Sequence, residues 1–302
     1  MSSILLVILG SVELGVIYAI MSLGVFLSFR TLDTADLTVD GSFTLGAACS
    51  AMLCLAGHPF LGLIAAFVIG CGAGAVTSLL NTKLGIQALL SGILMMLALY
   101  SVNLRIMGKP NVPLSGINVT TIYTSVANWR IGENGYAIGK LVISVGILVA
   151  IVALLWLFLK TKLGFALRAT GDNEDMVRSN GLDTDLMKLL GMALANGLVA
   201  LSGGMIAQYQ KFSDISMGTG MVVIGLASVI IGEVVFGTKS LGRRIIAVSL
   251  GSVVYRLIIA VALQLGMPAT DLKLVSAVIV AIALAAPYLG KKLKAGKKFN
   301  AN

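Results

Sequence analysis

Few residues in this sequence are of types that carry out chemistry, and their spacing does not suit catalysis. The stretch GEVVFGTKS, residues 232–240, comes nearest, because it resembles a phosphate-binding loop, in which backbone N–H groups and a lysine hold phosphate. That motif needs a lysine directly after its second glycine, whereas Thr238 follows Gly237, and no strand is predicted before it. We therefore interpret the stretch as the end of a membrane span.

The histidine and the cysteines of the chain also lack catalytic partners. An intramembrane serine protease needs a serine and a histidine within hydrogen-bonding distance, but His58, the only histidine, lies in the turn GHPF between two apolar runs. Cys49, Cys54 and Cys71 lie in apolar segments without CxxC spacing, which is typical of small buried hydrophobic side chains. The sequence therefore predicts no catalytic residues, no metal site and no disulfide framework.

The most polar segment is TKLGFALRATGDNEDMVRSNGLDTDLMKLL, residues 161–190, between two long apolar runs. Asp172 can cap a short helix that runs to about Ser179, and Gly181 is a good stop signal. Thr184 can cap the span that follows. Because a helix of about two turns is marginal in water, it needs contacts with the rest of the protein or with a partner.

Two interpretations of this polar segment remain open from the residues alone. Its mixed charges, with Phe165, Leu167, Met176 and Val177 interspersed, favour a protein-docking surface over a lipid-binding one, which would be more uniformly basic. A solvated loop fits the spacing equally well.

The composition around this segment is that of a membrane protein. The chain has 302 residues, of which 58% are hydrophobic and 12% charged, and its mean hydropathy is +0.99. This leaves too little polar surface for a soluble globule. The net charge of +9 does not indicate nucleic-acid binding, because the basic residues concentrate in short connections and the tail instead of forming a continuous basic face. The N-terminal apolar run has no Lys or Arg before it and no evident cleavage site, which predicts a retained first span.

A helix needs about 20 mostly apolar residues to cross the hydrocarbon of a bilayer. The sequence predicts an all-α, polytopic transmembrane helical bundle of about nine spans, formed by a single domain, residues 1–302. Among the predicted spans the second is short. The nine predicted spans cover residues 4–29, 41–56, 60–80, 86–107, 138–159, 189–208, 220–236, 245–263 and 272–289.

The distribution of Lys and Arg predicts the topology. The basic tail at 291–298, the connection 238–244 and the polar segment all carry Lys or Arg beside span ends, so all three are expected in the cytoplasm. Counting spans backward puts residues 81–83 inside and the long connection 108–136 outside. The N-terminus is then outside and the C-terminus cytoplasmic.

Three further stretches, taken with the polar segment, resemble a known family. They are GVIYAIMSLGVFLSFRTLDTADLTVDGSFTLGA at 15–47, ANGLVALSGGMIAQYQ at 195–210 and GLASVIIGEVVFG at 225–237. The chain resembles permease subunits of bacterial ABC importers of the branched-chain amino acid and ribose transporter superfamily. YRLIIAVALQLGMPATDLKLVSAVIV at 255–280 is most similar to permeases paired with tryptophan- or tyrosine-type binding lipoproteins. Asp40 departs from the pattern of the sugar permeases, in which a glycine follows the valine of a related Asp-Leu-Ser-Val-Gly-Ser.

The resemblance implies the fold of an ABC importer permease in the bacterial cytoplasmic membrane, with a cytoplasmic coupling region at 161–188 that seats in a separate ATPase subunit. ATP and Mg would be bound by that ATPase, so no cofactor is expected in this chain. The other expected partners are an external substrate-binding protein, a second permease copy and the lipid bilayer, and the expected cargo is an amino acid, aromatic or branched-chain. The ATPase-coupling residues that the resemblance implies are Gly164, Arg168, Gly171, Asp172, Asn173, Glu174, Asp175, Met176, Arg178 and Gly181.

An ion-coupled secondary transporter is the alternative, because such transporters also use broken helices and intramembrane charges. Glu13 and Arg256 fall inside predicted spans, where an ionisable group is costly and indicates function by default. They could be partners of each other, or each could be satisfied locally. A secondary transporter does not account for the charged segment.

For the substrate pathway the sequence offers polar residues within or at the head of spans. The segment 38–42 begins the short second span, and the N-terminus of such a half-helix can present N–H groups to an anionic ligand. The candidate residues are Tyr18, Thr38, Asp40, Ser42, Asn103, Asn196, Gln208 and Tyr209.

Overall fold

The computed structural model describes residues 3–114, 119–127, 135–268, 271, 274, 276–278 and 281. Most of the predicted ninth span, 272–289, lies outside the described residues, as do the basic tail and parts of the connection 108–136.

Eleven α-helices and two short strands make up the described chain. A π-helical segment, Phe26–Thr31, continues the first helix without a break. The helices are α1 (Ser3–Val25), α2 (Thr38–Leu55), α3 (Pro59–Thr82), α4 (Ala88–Met107), α5 (Ile122–Ala127), α6 (Gly135–Lys160), α7 (Lys162–Asp172), α8 (Glu174–Ser179), α9 (Thr184–Gln210), α10 (Met221–Phe236) and α11 (Leu241–Gln264), and the strands are β1 (Asn111–Pro113) and β2 (Phe212–Asp214).

The polytopic helical fold is confirmed. Within the described ranges, seven helices are long and apolar enough to cross a membrane, and α10 is a shorter apolar helix of 16 residues. The predicted spans 189–208 and 245–263 begin later than the helices that contain them, since α9 begins at Thr184 and α11 at Leu241. Hydropathy marks only the apolar part of a helix, whereas the side chains of Asp183 and Ser240 cap these helices further upstream, in polar sequence.

Helix α9 lies at the centre of the bundle and packs against α1, α2 and α3. Small residues permit the close approach of α3. A Cβ atom on Gly70 would collide with the side chain of Ala200, and one on Gly74 would collide with the carbonyl oxygen of Met192. This is the role that small residues four apart have between membrane helices.

Helix ends meet at two opposite faces of the bundle. On one of them, which we call the coupling face, Lys83 after α3 lies 3.7 Å from the carboxylate of Asp185 in α9, and α7 and α8 lie nearby. On the opposite face, β1 pairs antiparallel with β2, with Val112 opposite Ser213. As the sequence predicts, residues 81–83 and the polar segment share a face, and the described start of the connection 108–136 is on the other.

Candidate functional site

The polar segment 161–188 folds into two helices rather than one. The hydroxyl of Thr161 accepts a hydrogen bond from the Gly164 amide at 3.2 Å, which caps α7. Asn173 caps α8, since its Oδ1 accepts from the Met176 amide at 3.0 Å. The prediction that Asp172 caps the short helix was therefore wrong by one residue, because Asp172 is the last residue of α7.

The end of α8 and the start of α9 follow from local chemistry. Gly181 has φ of +80°, a left-handed conformation that favours glycine after a helix, as predicted. Asp183, and not the predicted Thr184, caps α9 by accepting from the amides of Asp185 and Leu186. The Thr184 hydroxyl instead donates to Glu174, which pulls it away from the helix end.

An ionic network ties α8 to α9. Glu174 accepts from Lys188 at 2.6 Å and from Arg178 at 3.2 Å, and Arg178 also lies 3.5 Å from Asp185. The hydrogen bond from Lys188 is the main cause that lowers the pKa of Glu174 below its ordinary value, and burial opposes it. The segment is thus an ordered element rather than a solvated loop, and Arg178 is engaged within it.

The end of α7 lies directly against the end of the first span. A Cβ atom on Gly171 would collide with the carbonyl oxygen of Thr31, so only glycine permits this contact. Leu167 is fully buried and, with Leu32, lies against Gly191 of α9. Helix α7 is therefore in direct contact with the π-helical end of the first span, without an intervening loop.

The outer surface of this element is apolar as well as charged. Phe165 is 67% exposed and Met176 is 50% exposed. The guanidinium of Arg168 lies 5.7 Å from the centre of the Phe165 ring. We call the exposed apolar side chains of this surface the coupling patch, and they are Leu163, Phe165, Met176, Leu182 and Leu186.

A buried polar network surrounds the head of α2. The Asn196 amide donates to Asp36 at 2.6 Å and accepts from Ser42 at 2.7 Å, while the hydroxyls of Thr38 and Thr77 are 2.9 Å apart. Asp36 also accepts from the Thr38 amide, at 2.8 Å. Three of the candidate pathway residues, Thr38, Ser42 and Asn196, therefore hold helices together. The Asp36 carboxylate at the start of α2 disfavours the anionic ligand that the sequence suggested there.

Asp40 connects α2 to the start of α10. Its carboxylate accepts from the amides of Gly220 at 2.8 Å and Val222 at 2.9 Å, so it caps a helix 180 residues away in the chain. With Asn103 it lines a cavity of about 200 Å³ between α2, α4 and the segment before α10. Asp40, which stands where the sugar permeases have a glycine, therefore has a structural role.

Glu13 and Arg256 are not brought together as partners. Glu13 is buried and accepts from the Tyr209 hydroxyl at 2.6 Å. The Arg256 guanidinium lies 3.8 Å from the centre of the Tyr18 ring, whose other neighbour is the parallel ring of Phe43, at 6.0 Å between centroids. Each charge thus has a separate local environment, although the Arg256 Nε has no hydrogen-bond partner among the described residues.

Gln208 is fully used in joining helix ends. Its amide nitrogen donates to the Ser50 hydroxyl and to the Pro59 carbonyl, both at 2.9 Å, and its amide oxygen accepts from the Ile122 amide at 2.9 Å. In this conformation the side chain joins α9 to α2, α3 and α5.

Sequence reasoning missed Asp36 and an ionic cluster on the coupling face. Glu233 accepts from Arg30 at 3.0 Å and from Arg244 at 3.0 Å, which joins the π-helical segment, α10 and α11. The signal in the sequence is a glutamate inside the apolar run of α10, where an ionisable group is costly. Asp36 offered a weaker signal, as an acid two residues before a helix start.

A bundle of apolar spans with an ordered polar element on one face defines a multi-pass membrane protein. The chain belongs to the family described as branched-chain amino acid transport system / permease component, which matches residues 7–286. This confirms the resemblance found in the sequence.

The relatives agree with this membership. The chain is 41% identical to a tyrosine transport system permease protein of Clostridioides difficile (strain R20291), over 92% of this chain and 90% of that protein. It is 33% identical to an uncharacterized protein of Rickettsia prowazekii (strain Madrid E), over 92% and 96% of the two chains. It is 27% identical to a ribose import permease protein of Escherichia coli (strain K12), over 78% and 71%. No solved structure matches the chain.

Proposed function

We propose that this chain is the permease subunit of an ATP-driven importer that passes an amino acid, most simply an aromatic one, across the bacterial cytoplasmic membrane. An external binding protein delivers the amino acid, and a separate ATPase subunit binds ATP and Mg. The family membership and the 41% identity to a tyrosine transport system permease protein support the substrate class.

The observation that carries the proposal is the packing of α7 and α8, which together we call the coupling element. A short helix is marginal in water by itself, yet α8 is anchored through Glu174 to Lys188 of α9. Its partner α7 is seated against Thr31 through Gly171. A rigid element with an exposed apolar patch, joined to two core helices, is suited to transmit the movement of a docked ATPase.

The mechanism follows from these contacts. Closure of the ATPase subunits around ATP moves α7 and α8, and the contact at Gly171 passes that movement to the π-helical segment of the first span. π-helical turns are frequent at functional sites. The ionic cluster of Glu233 with Arg30 and Arg244 extends the same movement to α10 and α11. The helices then alternate between two states that differ in the side open to substrate.

Tests of the proposal use the coupling patch. We expect Phe165→Asp with Met176→Asp to abolish ATP-driven uptake of L-tyrosine into proteoliposomes that contain the co-purified ATPase and the binding protein. The reason is that a carboxylate in an apolar interface core is desolvated without a partner. The folded membrane domain should be unaffected, since both positions are exposed, as size-exclusion chromatography would show.

A matched control is available on the same face. Leu84, in the connection between α3 and α4, is 68% exposed and lies outside the patch, so Leu84→Asp should retain uptake. Normal uptake by the double variant would contradict docking through the patch. Uptake driven by an ion gradient without ATP would instead establish a secondary transporter.

A further inference from the structure

The cavity beside Asp40 combines apolar walls with hydrogen-bond acceptors. Its volume of about 200 Å³ suits a small solute rather than a drug-sized ligand. Leu97 and Tyr100 on its wall are exposed, at 61% and 55%, so the cavity opens on the outer surface of the bundle, along the span α4. The lining residues are Asp40, Gly41, Thr44, Met96, Leu97, Tyr100, Asn103, Ile215 and Thr219.

Asn103 carries an acceptor that no described residue of the chain occupies. The side chain is 1% exposed, and its amide nitrogen donates to the Gly41 carbonyl at 3.2 Å. Because a carbonyl only accepts, this bond fixes the orientation of the amide and turns Oδ1 away from Gly41. Oδ1 has no hydrogen-bond partner among the residues that the structure describes. A buried polar atom without a partner is costly, which indicates that something else satisfies it.

Two more acceptors line the same cavity. The Asp40 carboxylate has about four lone-pair sites, and the α10 amides of Gly220 and Val222 occupy two of them. The Thr44 hydroxyl donates its proton to the Asp40 carbonyl at 3.2 Å, so its oxygen keeps the capacity to accept a hydrogen bond. A carboxylate, an amide oxygen and a hydroxyl oxygen match the three donors of a primary ammonium group.

We propose that this cavity binds the ammonium group of the transported amino acid, with Asp40, Asn103 and Thr44 as acceptors and with Met96, Leu97 and Tyr100 around the apolar side chain. The substrate part of this inference rests on the proposed function. Methionine and aromatic side chains suit an aromatic ligand, because sulfur and ring edges contact rings favourably.

Cysteine protection at the cavity tests the proposal directly. Thr219 lines the cavity and is exposed, so Thr219→Cys provides a reactive thiol in a chain whose three native cysteines are replaced by alanine. The full-length permease is held in lipid nanodiscs without binding protein, and the rate of labelling by a neutral maleimide is measured. The probes are L-tyrosine, tyramine, which lacks the carboxylate, and 3-(4-hydroxyphenyl)propionic acid, which lacks the amine.

We expect L-tyrosine and tyramine to slow labelling at concentrations at least about tenfold below those at which the deaminated acid does, because hydrogen bonds to a charged group are among the stronger ones. Asn103→Leu should weaken protection by tyramine by about tenfold. Asn81→Leu is the matched control, because Asn81 also donates to a carbonyl, that of Ile86, but lies on the coupling face. It should leave protection unchanged.

Three outcomes would overturn the inference, and a fourth would overturn only the proposed function. Equal protection by the deaminated acid and tyramine would exclude an ammonium site, and this comparison needs no variant of Asn103. Protection by Na⁺ alone, with no addition by tyramine, would establish a metal-cation site instead. Tyramine protection without ATP-driven tyrosine uptake would leave the site standing and defeat the proposed function. ATP-driven tyrosine uptake without protection by any of the probes would overturn the proposed site and leave the proposed function standing.

Discussion

Glu174 is the shared acceptor of the network that holds α8 in place. It accepts from Lys188 and Thr184 of α9 and from Arg178 within α8, so two of its three bonds join the two helices. Because Arg178 is part of this network, reversing its charge would disturb the element itself. The exposed side chains of Phe165 and Met176 are therefore better probes of docking than Arg178.

Replacing Glu174 by Gln should loosen α8 and lower the stability of the folded permease by about 1 kcal/mol, the range of partly exposed ion pairs. The measurement is the thermal unfolding midpoint in detergent. Asp175→Asn is the control, since Asp175 is exposed and makes no ion pair within the part of the chain that the structure describes. An equal effect of the two variants would show that the network contributes nothing.

The wild type and Glu174→Gln should also differ in how their stability depends on pH. Because the folded-state pKa of Glu174 lies below its ordinary value of 4.5, its stabilisation is fully present above about pH 4.5 and is lost as the pH falls through the folded pKa. The difference in unfolding midpoint between the wild type and Glu174→Gln should therefore be constant near neutral pH and shrink in acid. A difference that grows in acid would contradict this assignment.

At the scale of elements, the proposed function makes the contact between α7 and the first span the step that would convert docking into movement. Gly171 lies against the Thr31 carbonyl, and the π-helical segment that ends there also carries Arg30, the partner of Glu233. Two interactions of different kinds, backbone packing and an ion pair, thus converge on one turn of helix.

Gly171→Ala should separate α7 from that turn, because the added methyl group would collide with the Thr31 carbonyl, and overpacking of this kind costs about 1–3 kcal/mol. We expect ATP hydrolysis to continue while uptake per ATP falls several-fold. Gly146→Ala in α6 is the control, since a Cβ there meets no atom within 4 Å. Unchanged uptake per ATP in Gly171→Ala would show that the contact does not transmit movement.

At the scale of the whole molecule, the two faces of the bundle define the sidedness of transport. In a cysteine-free background, a membrane-impermeant maleimide applied from outside should label Lys109→Cys, beside β1, and should fail to label Asn180→Cys, at the end of α8. Both positions are exposed, so accessibility to reagent is matched. Permeabilised cells supply the control, in which both should react, and the reverse pattern would invert the topology.

Assembly is the second whole-molecule prediction. An importer with two ATPase subunits needs two coupling regions, and this chain has one, so we expect two copies around a two-fold axis. Native mass spectrometry of the complex purified through a tag on the permease should give two permease chains per two ATPase chains. A single copy, or a different permease opposite it, would contradict the homodimer.

The sequence by itself determined the membrane class, the spans within the described residues and the place of the polar segment, because hydropathy, span length and charge are local properties. It also located Gly181 as a helix stop. The two predicted caps, Asp172 and Thr184, were wrong by one residue, since Asn173 and Asp183 cap α8 and α9. Neighbouring polar side chains compete for the same amides.

Only the tertiary structure decided which polar groups meet. Asp40 caps α10, Glu13 contacts Tyr209, and Asn103 lines a cavity beside Asp40. The physical reason is that a helix apolar on all sides carries no stripe that fixes its rotation about its own axis. Which side chain faces which neighbour is then set by close packing of small residues between helices distant in the sequence, as at Gly74 and Gly171.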